Sequence, residues 1–318
     1  MKEKILICGA TGFIGRNITE SLAGKDGIEV YGTYLNSEPL AVPGVRMVQA
    51  DLKNADDVNR TMQGMDVIIQ AAATTSGSKD STSRPYHHVT DNAVMNSLIF
   101  RAAFECKASH VVFFSCTNMY QSSDVPVKES DFNANEEMYP TYFGIGWTKV
   151  YIEKMCEFYS KLGNTKFTAI RHSNIYGPYD KYDLEKSHVF GATITKVMTA
   201  EEGDEVLVWG SGEEERDLLY VSDLVSFVEL VLEKQELNFE LYNAGYGSSI
   251  PVKDLVSKII TTSGKDLKIK QDLSRPSIKT KLCLDTTKAK ISLGWSPEVS
   301  LDEGIIKTID WYRENIKV

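Results

Sequence analysis

Three glycines recur every third residue near the start of the chain, in the segment GATGFIG. Gly9, Gly12 and Gly15 lie between the apolar run KILIC and an amphipathic segment that begins at Phe13. In such a pattern the first glycine permits a tight turn and the second lets a pyrophosphate approach the backbone. The third lets the helix pack on the strand. Because the phosphate would rest on the helix N-terminus, the spacing predicts that the chain binds NAD or NADP.

The residues that would discriminate between the two cofactors lie at the ends of the next strands. The second predicted strand ends in YLN at 34–36 and lacks the acidic side chain that binds a ribose 2'-hydroxyl, which favours NADP over NAD. Arg16 could pair with a 2'-phosphate, or it could be a solvated charge on its helix. Asp51, in the pair Asp51-Leu52 after the third strand, could accept a hydrogen bond from the adenine amino group, cap the next helix, or do both.

The glycine loop needs a strand before it and a helix after it, and the N-terminal half of the chain repeats this alternation. The apolar runs KILICGA, IEVYGTY, VRMVQA and DVIIQAAA are separated by helical patterns such as FIGRNITESLAG and ADDVNRTMQG. Helices predicted around 91–107 and 144–161 precede two further strands, HVVFFS and KFTAIRH. The sequence therefore predicts an α/β fold, a Rossmann doubly wound parallel sheet, over residues 1–172.

After Arg171 the chain becomes richer in Gly, Pro, Tyr and charged residues, and its helices become shorter. Helices are expected near 192–200, 221–233, 252–262 and 301–315. We expect a smaller α/β C-terminal domain that binds substrate, built from 173–216 and 246–318. A segment near 217–245 would return to the Rossmann domain.

Charge and composition exclude several classes of function. The chain has 44 acidic and 35 basic side chains, for a net charge of -9, and no basic stripe, so nucleic acid is not an expected partner. No apolar run approaches the roughly 20 residues needed to span a bilayer, so no membrane association is expected. Five scattered cysteines without metal-ligand spacing argue against disulfides and a metal site, and favour a cytoplasmic location.

Several segments together resemble the extended short-chain dehydrogenase/reductase family, the NAD-dependent epimerases and dehydratases. They are the glycine loop, Asp51-Leu52, the alanines at 71–73 and Lys149 in a long helix. HSNIYGPYDKYDLEKSHVFGATITK, VWGSGEEERDLLYVSDL and LDTTKAKISLGWSPEVSLDEGI are similar to segments of GDP-L-fucose synthases. The resemblance implies an NAD(P)-dependent epimerase or reductase of a (GDP-)keto-deoxysugar or related sugar nucleotide. It also implies a homodimer formed through the two long helices.

The resemblance assigns the site residue by residue. It assigns the cofactor to Gly9, Thr11, Gly12, Phe13, Ile14, Gly15, Arg16, Asp51, Leu52, Ala71, Ala72, Ala73, Lys149 and His172. It assigns the nucleotide sugar to Asn118, Asn174, His188, Val189, Lys196, Trp209, Arg216 and Arg275.

The substrate residues have chemistry that suits such a ligand. Arg216 can fork onto a diphosphate, Trp209 offers a flat apolar face, and Lys196 adds a point charge. The structural alternatives are a surface salt bridge, a core aromatic and a solvated helix lysine. His188 matches the family's acid in epimerisation, although a histidine bonded to a carbonyl would have the same sequence signature.

The family's usual proton donor is missing. The family carries Tyr-x-x-x-Lys, in which the lysine lowers the pKa of the tyrosine, but Ile145 stands four residues before Lys149. Cys116 takes the place of the usual Ser or Thr, and Asn118 the place of the fucose-synthase cysteine.

Three interpretations follow from the missing tyrosine. An active enzyme would draw its proton from Tyr142, Thr117, Cys116 or His188, with Lys149 on the nicotinamide ribose. Tyr142 lies seven residues before Lys149 and would share its helix face. The chain could instead be a non-catalytic NAD(P)- or sugar-nucleotide-binding protein, or an oxidoreductase of a non-nucleotide carbonyl. A dehydratase is disfavoured because no carboxylate stands at 117–118.

Overall fold

The computed structural model describes residues 2–74, 85–184, 187–274 and 280–316; Arg275 lies outside these residues. The first six strands are β1 (Glu3–Cys8), β2 (Ile28–Tyr34), β3 (Val45–Gln49), β4 (Val67–Gln70), β5 (His110–Phe114) and β6 (Lys166–His172). The other six are β7 (Asn174–Tyr176), β8 (Glu205–Trp209), β9 (Glu215–Tyr220), β10 (Phe239–Ala244), β11 (Ser249–Pro251) and β12 (Lys268–Asp272).

Nine α-helices and two short 3-10 turns connect the strands in the described part of the chain. The helices are α1 (Phe13–Leu22), α2 (Ala55–Met62), α3 (Pro85–Glu105), α4 (Phe143–Ser160), α5 (Val189–Thr199), α6 (Val221–Lys234), α7 (Val252–Ser263), α8 (Thr287–Leu293) and α9 (Leu301–Asn315). The 3-10 turns are Glu129–Asp131 and Pro140–Tyr142. Within the described residues helix α3 extends back to Pro85, earlier than the expected 91.

The large sheet has seven strands in the order β10-β6-β5-β4-β1-β2-β3, and every pair in it is parallel. The predicted doubly wound Rossmann architecture is therefore confirmed. Strand β10 pairs with β6, so the chain comes back to this sheet after residue 238. Two small sheets, β11-β9-β7 and β12-β8, stand apart from it.

The core lies on both faces of the large sheet because side chains alternate along each buried strand. On β1, Ile5 and Ile7 pack with α1 and α6, whereas Leu6 and Cys8 pack with α2, α3 and α4. A third cluster joins α5, α7 and α9 to β8 and β9. No helix among the described residues is long and apolar enough to cross a membrane.

The parallel arrangement also places the candidate residues. The glycine loop follows β1, the alanines at 71–73 follow β4, and Cys116 follows β5. Strand β6 ends at His172. Since the carboxyl ends of parallel strands share one edge, these four segments meet there, which is where open α/β sheets bind ligands.

Candidate functional site

The glycine loop is so tightly packed that two of its positions exclude any side chain. Gly9 has φ of +75°, and a Cβ there would lie 2.7 Å from the Cα of Ala72. A Cβ on Gly15 would lie 2.2 Å from the carbonyl oxygen of Gly9. Strand β1, the turn and helix α1 can approach one another only because these side chains are absent.

The N-terminus of α1 fits a pyrophosphate. Gly12 is its N-cap and makes no side-chain cap, and the first turn carries no acidic residue. The backbone N–H groups at the start of a helix have no intrahelical acceptor and favour negative charge. Nearby, Thr11 accepts a hydrogen bond from Ser37 after β2, with the two oxygens 2.7 Å apart. The loop therefore presents donors and no competing carboxylate to a dinucleotide.

Asp51 and Leu52, which the resemblance assigns to the cofactor, both have structural roles within the protein. The Asp51 carboxylate accepts from the backbone N–H of Lys53 at 3.0 Å, while the N-cap of α2 is Asn54. The helix-cap interpretation of Asp51 is therefore wrong: Asn54 follows three residues later and occupies the cap position. Its neighbour Leu52 is buried in the core.

Arg16 joins the cofactor helix to the C-terminal half. Its Nε donates to Glu20 at 2.9 Å, and its guanidinium lies 3.7 Å from the centroid of the Tyr179 ring. One residue along, the Asn17 side chain donates to the backbone oxygen of Pro178 at 3.0 Å. Arg16 is thus not simply a solvated charge, because one face of its guanidinium and its Nε are engaged.

Lys149, on α4, and His172, at the end of β6, are two further residues that the resemblance assigns to the cofactor. The Lys149 ammonium donates to the carbonyl of Phe114 at 2.7 Å and lies 4.6 Å from the ring centroid of Phe113. Burial lowers the pKa of Lys149. Burial also lowers the pKa of His172 to about 4, so its imidazole is neutral at pH 7, with Nδ1 2.8 Å from the carbonyl oxygen of Ser173.

A cleft of about 360 Å³ opens next to these residues. Its walls come from five segments, within 117–122, 137–142, 173–174, 215–217 and 280–284. The structure brings together here five residues that the sequence singled out: Thr117, Asn118, Tyr142, Asn174 and Arg216.

Tyr142 occupies a different position from the one that helical spacing implied. It ends the 3-10 turn that precedes α4 and serves as the N-cap of that helix, so it lies outside the helix instead of on its face. Its hydroxyl has no hydrogen-bond partner among the residues described. Burial raises the pKa of the phenol, and the positive charge of Arg216 opposes this shift.

Cys116 and Ile145 are the residues that the resemblance aligns with polar groups of the family. Burial raises the pKa of the Cys116 thiol, while the nearby Lys149 charge and the N–H of Asn118 lower it. Cys116 is close enough to Tyr142 to affect the phenol electrostatically. Ile145 is half-buried on α4, one turn before Lys149.

Arg216 and Asn174 are held in place by the backbone. Nη1 of Arg216 donates to the Thr280 hydroxyl at 3.0 Å and to the carbonyl of Glu215 at 2.8 Å. Asn174 donates to the carbonyl of Asp217 at 3.0 Å. No carboxylate within the described ranges pairs with Arg216, so the surface salt-bridge alternative does not apply, and its Nε and Nη2 remain open.

Four other predicted substrate residues do not line this cleft. His188 and Val189 lie at the start of α5. The Lys196 ammonium donates to the carbonyl of Leu207 at 2.8 Å, so it is not a freely solvated lysine. Trp209 is 44% exposed at the end of β8, so the core-aromatic alternative is wrong.

His188 is exposed to solvent. Neighbouring protein atoms still desolvate its imidazole in part, and this desolvation, together with the charge of Lys181, lowers the pKa of the imidazole.

A buried ion pair supports the cleft from behind, and sequence reasoning missed it. Arg171 donates to Glu153 from Nε at 3.0 Å and from Nη2 at 2.7 Å, with both side chains almost wholly buried. Nη1 of Arg171 donates to the Tyr120 hydroxyl at 2.9 Å, and that hydroxyl donates to Asn243 on β10. The position of Glu153, one helical turn after Lys149, is the signal that could have indicated it.

Comparison with known proteins identifies the family. The model of the NAD dependent epimerase/dehydratase family matches residues 5–245. The chain belongs to this family. The resemblance drawn from the glycine loop and Lys149 is confirmed, and the family is one of enzymes.

Individual relatives align over almost the whole chain. A GDP-L-fucose synthase of Azorhizobium caulinodans is 29% identical over 98% of this chain and 96% of its own length. A dTDP-4-dehydro-6-deoxy-D-allose reductase of a Streptomyces species is 24% identical over 97% and 96%. The crystal structure of UDP-glucose 4-epimerase from Thermotoga maritima with UDP-glucose matches with a TM-score of 0.87 at 23% identity, over 99% of this chain and 100% of that one.

Proposed function

We propose that this chain is an NAD(P)-dependent reductase or epimerase of a keto-deoxysugar nucleotide, with Tyr142 as the proton donor. The observation that carries the proposal is the position of the Tyr142 hydroxyl. Tyr142 lines the cleft together with Arg216, its hydroxyl has no hydrogen-bond partner among the described residues, and it is within electrostatic range of Arg216 and Cys116, as Cys116 is of Lys149. A phenol in that place can hold its proton toward the carbonyl oxygen of a bound sugar.

The bound nicotinamide supplies or accepts the hydride at the sugar carbon. Tyr142 provides the proton that the carbonyl oxygen needs when it becomes a hydroxyl. The Lys149 ammonium, fixed on the carbonyl of Phe114, is placed to hold the nicotinamide ribose and adds positive charge near the developing oxyanion.

We assign to Arg216 the binding of the diphosphate of the nucleotide sugar. Its Nη1 is held by Thr280 and backbone carbonyls, so Nε and Nη2 can form a fork onto phosphate oxygens without rearrangement. This preorganised cation favours a nucleotide sugar over a non-nucleotide carbonyl. We assign His188, whose lowered pKa keeps it neutral at pH 7, to proton transfer in epimerisation.

We propose NADP as the preferred cofactor, because the end of β2 lacks a carboxylate that would repel a 2'-phosphate. Arg16 is the candidate partner, and it would exchange its exposed pair with Glu20 for the phosphate. An exposed ion pair contributes little, whereas a guanidinium–phosphate contact is charge-assisted. The KM for NADPH should be lower than that for NADH, and Arg16→Ala should remove the difference.

The direct test is an assay for reduction of a GDP-4-keto-6-deoxysugar. The reaction is monitored through the oxidation of NADPH or through deuterium exchange from solvent into the sugar. Tyr142→Phe should lower kcat about 10²-fold or more while leaving cofactor affinity unchanged. Tyr31→Phe is a matched control, since Tyr31 lies on β2 and bonds Arg46. Unchanged turnover in Tyr142→Phe would assign the proton to another group.

The second candidate is a non-catalytic sugar-nucleotide-binding protein, which Ile145 favours. In that case calorimetry should show that both the sugar nucleotide and NADPH bind. Neither hydride transfer nor deuterium exchange should occur with any of the keto-sugar substrates.

We also propose a homodimer formed through α3 and α4. These helices pack on each other and expose Val94, Tyr151 and Phe158, with Leu162 just beyond α4. Exposed apolar side chains clustered in this way indicate an interface. Light scattering should give twice the chain mass of 35.5 kDa, and Phe158→Asp should shift the protein toward the monomer.

A further inference from the structure

One polar side chain of the cleft has no role in the chemistry described above. Gln121 lines the cleft, and its amide nitrogen Nε2 is buried without a hydrogen-bond partner. No described residue bonds to any atom of this amide. Buried amide donors in folded proteins are nearly always paired, so an unpaired one on a residue that lines a cleft indicates a contact that a ligand completes.

The backbone on both sides of Gln121 is held firmly. Before it, the Tyr120 hydroxyl bonds Asn243 and Arg171 at 2.9 Å each. After it, the backbone N–H of Lys281 donates to the Ser122 hydroxyl at 2.9 Å, and the N–H of Ser123 donates to the carbonyl of Lys281 at 2.8 Å. Gln121 therefore presents its amide from a rigid position, as a specificity contact requires.

The surroundings of the amide are suited to a neutral oxygen. Leu282, Leu284 and Met138 provide apolar wall in the cleft, and the amide nitrogen of Gln121 is itself buried from water. Glu215, one of the carboxylates that line the cleft, is bonded to Ser249 and Lys281 and makes no hydrogen bond to the amide. In a water-poor site, a donor left unpaired by the wrong ligand weakens binding substantially.

We propose that Gln121 determines sugar specificity: Nε2 donates to an oxygen borne by the sugar ring, a ring hydroxyl or the oxygen of an acyl substituent. A sugar without an oxygen at that point is bound more weakly. This inference rests on the proposed binding of a sugar nucleotide, and it concerns a residue that the cofactor and the proton transfer do not use.

The experiment is calorimetric titration of the protein with GDP, GDP-mannose, UDP, UDP-glucose and UDP-N-acetylglucosamine. The quantity of interest is the gain in affinity of each sugar nucleotide over its own diphosphate. Gln121→Met, which keeps length and loses the donor, should reduce that gain 10- to 100-fold and leave the diphosphate affinity within twofold. If the affinity gain falls most for UDP-N-acetylglucosamine, the acceptor of the Gln121 hydrogen bond is the acyl oxygen. If it falls most for GDP-mannose or UDP-glucose, the acceptor is a ring hydroxyl.

The controls separate this inference from the proposed function. Gln63→Met, at the exposed end of α2, should leave every affinity unchanged. If Gln121→Met unfolds, Gln121→Glu keeps the shape without the donor and should show the same selective loss. Full retention of the sugar gain in the variant that folds would overturn the role of Gln121. Wild-type protein that binds no sugar nucleotide would overturn the proposed function, and this inference with it.

Discussion

The glycine loop and the sugar cleft lie at the same edge of one sheet, but they are specified in different ways. At Gly9 and Gly15 the backbone leaves no room for a Cβ, so the function follows from absent side chains. In the cleft, the function depends on the identity of the side chains at positions 142, 116 and 145, here Tyr142, Cys116 and Ile145. Binding of the cofactor is therefore a property of local backbone geometry, whereas the chemistry is open to change one residue at a time.

The largest expected effect lies behind the cleft, at Glu153. Glu153→Ala leaves the buried Arg171 guanidinium without its counter-charge, which should lower the free energy of unfolding by about 3–5 kcal/mol. Glu157→Ala, one turn further along α4, removes exposed pairs with Lys154 and Lys161 and should cost no more than about 1 kcal/mol. Equal effects in chemical denaturation would show that the cleft does not depend on this pair.

The glycine loop should respond next most strongly. Gly15→Ala forces a Cβ against the Gly9 carbonyl and should cost about 1–3 kcal/mol of stability. Gly12→Ala meets that carbonyl at 3.3 Å, so it should cost less stability and mainly lower dinucleotide affinity. Thermal unfolding and NADPH titration separate the two outcomes, and a tolerant Gly15→Ala would contradict the close packing of loop and helix.

Tyr179, which contacts Arg16 across the two regions, should give a smaller effect. Tyr179→Ala removes a cation–π contact worth about 0.5–1 kcal/mol at an exposed site and frees the guanidinium. Stability should fall slightly, while NADPH affinity should rise and NADH affinity stay constant. A fall in NADPH affinity would mean that Tyr179 positions Arg16 for the phosphate.

The smallest effect concerns pH. Because burial raises the pKa of Tyr142, the phenol keeps its proton through the neutral range, and kcat for reduction should change less than about twofold between pH 6 and 9. His188 has a lowered pKa, so an imidazolium donor would already be lost as pH rises to neutrality. A rate that falls about tenfold for each unit by which pH rises above 6 would assign the proton to His188 instead.

The sequence was enough to predict the sheet and the glycine loop, because local sequence patterns specify both. Apolar runs, their alternation with helices and the spacing of Gly9, Gly12 and Gly15 each span a few consecutive residues. The position of Lys149 on a long helix followed from the same periodicity. These features needed no knowledge of which distant segments meet.

The cleft could be predicted only in part, because its walls come from distant segments. Tyr142, Asn174 and Arg216 were singled out, but Gln121 was not, since a glutamine in a polar loop carries no pattern. Of the two alternatives for Asp51, the helix cap is wrong because Asn54, another good cap, stands three residues later. The ion pair of Glu153 with Arg171 joins a helix to a strand and has no local signature.

The contact of Ser122 with Lys281 has a consequence for the order in which the protein takes shape. These residues are 159 positions apart, and their hydrogen bonds close one wall of the cleft. During synthesis the glycine loop and its strands leave the ribosome long before Lys281 does. The dinucleotide site can thus form on the nascent chain, while the pocket for the second ligand must wait for the segment 280–284. Long-range closure of this kind is slow, so refolding should restore dinucleotide binding before sugar binding.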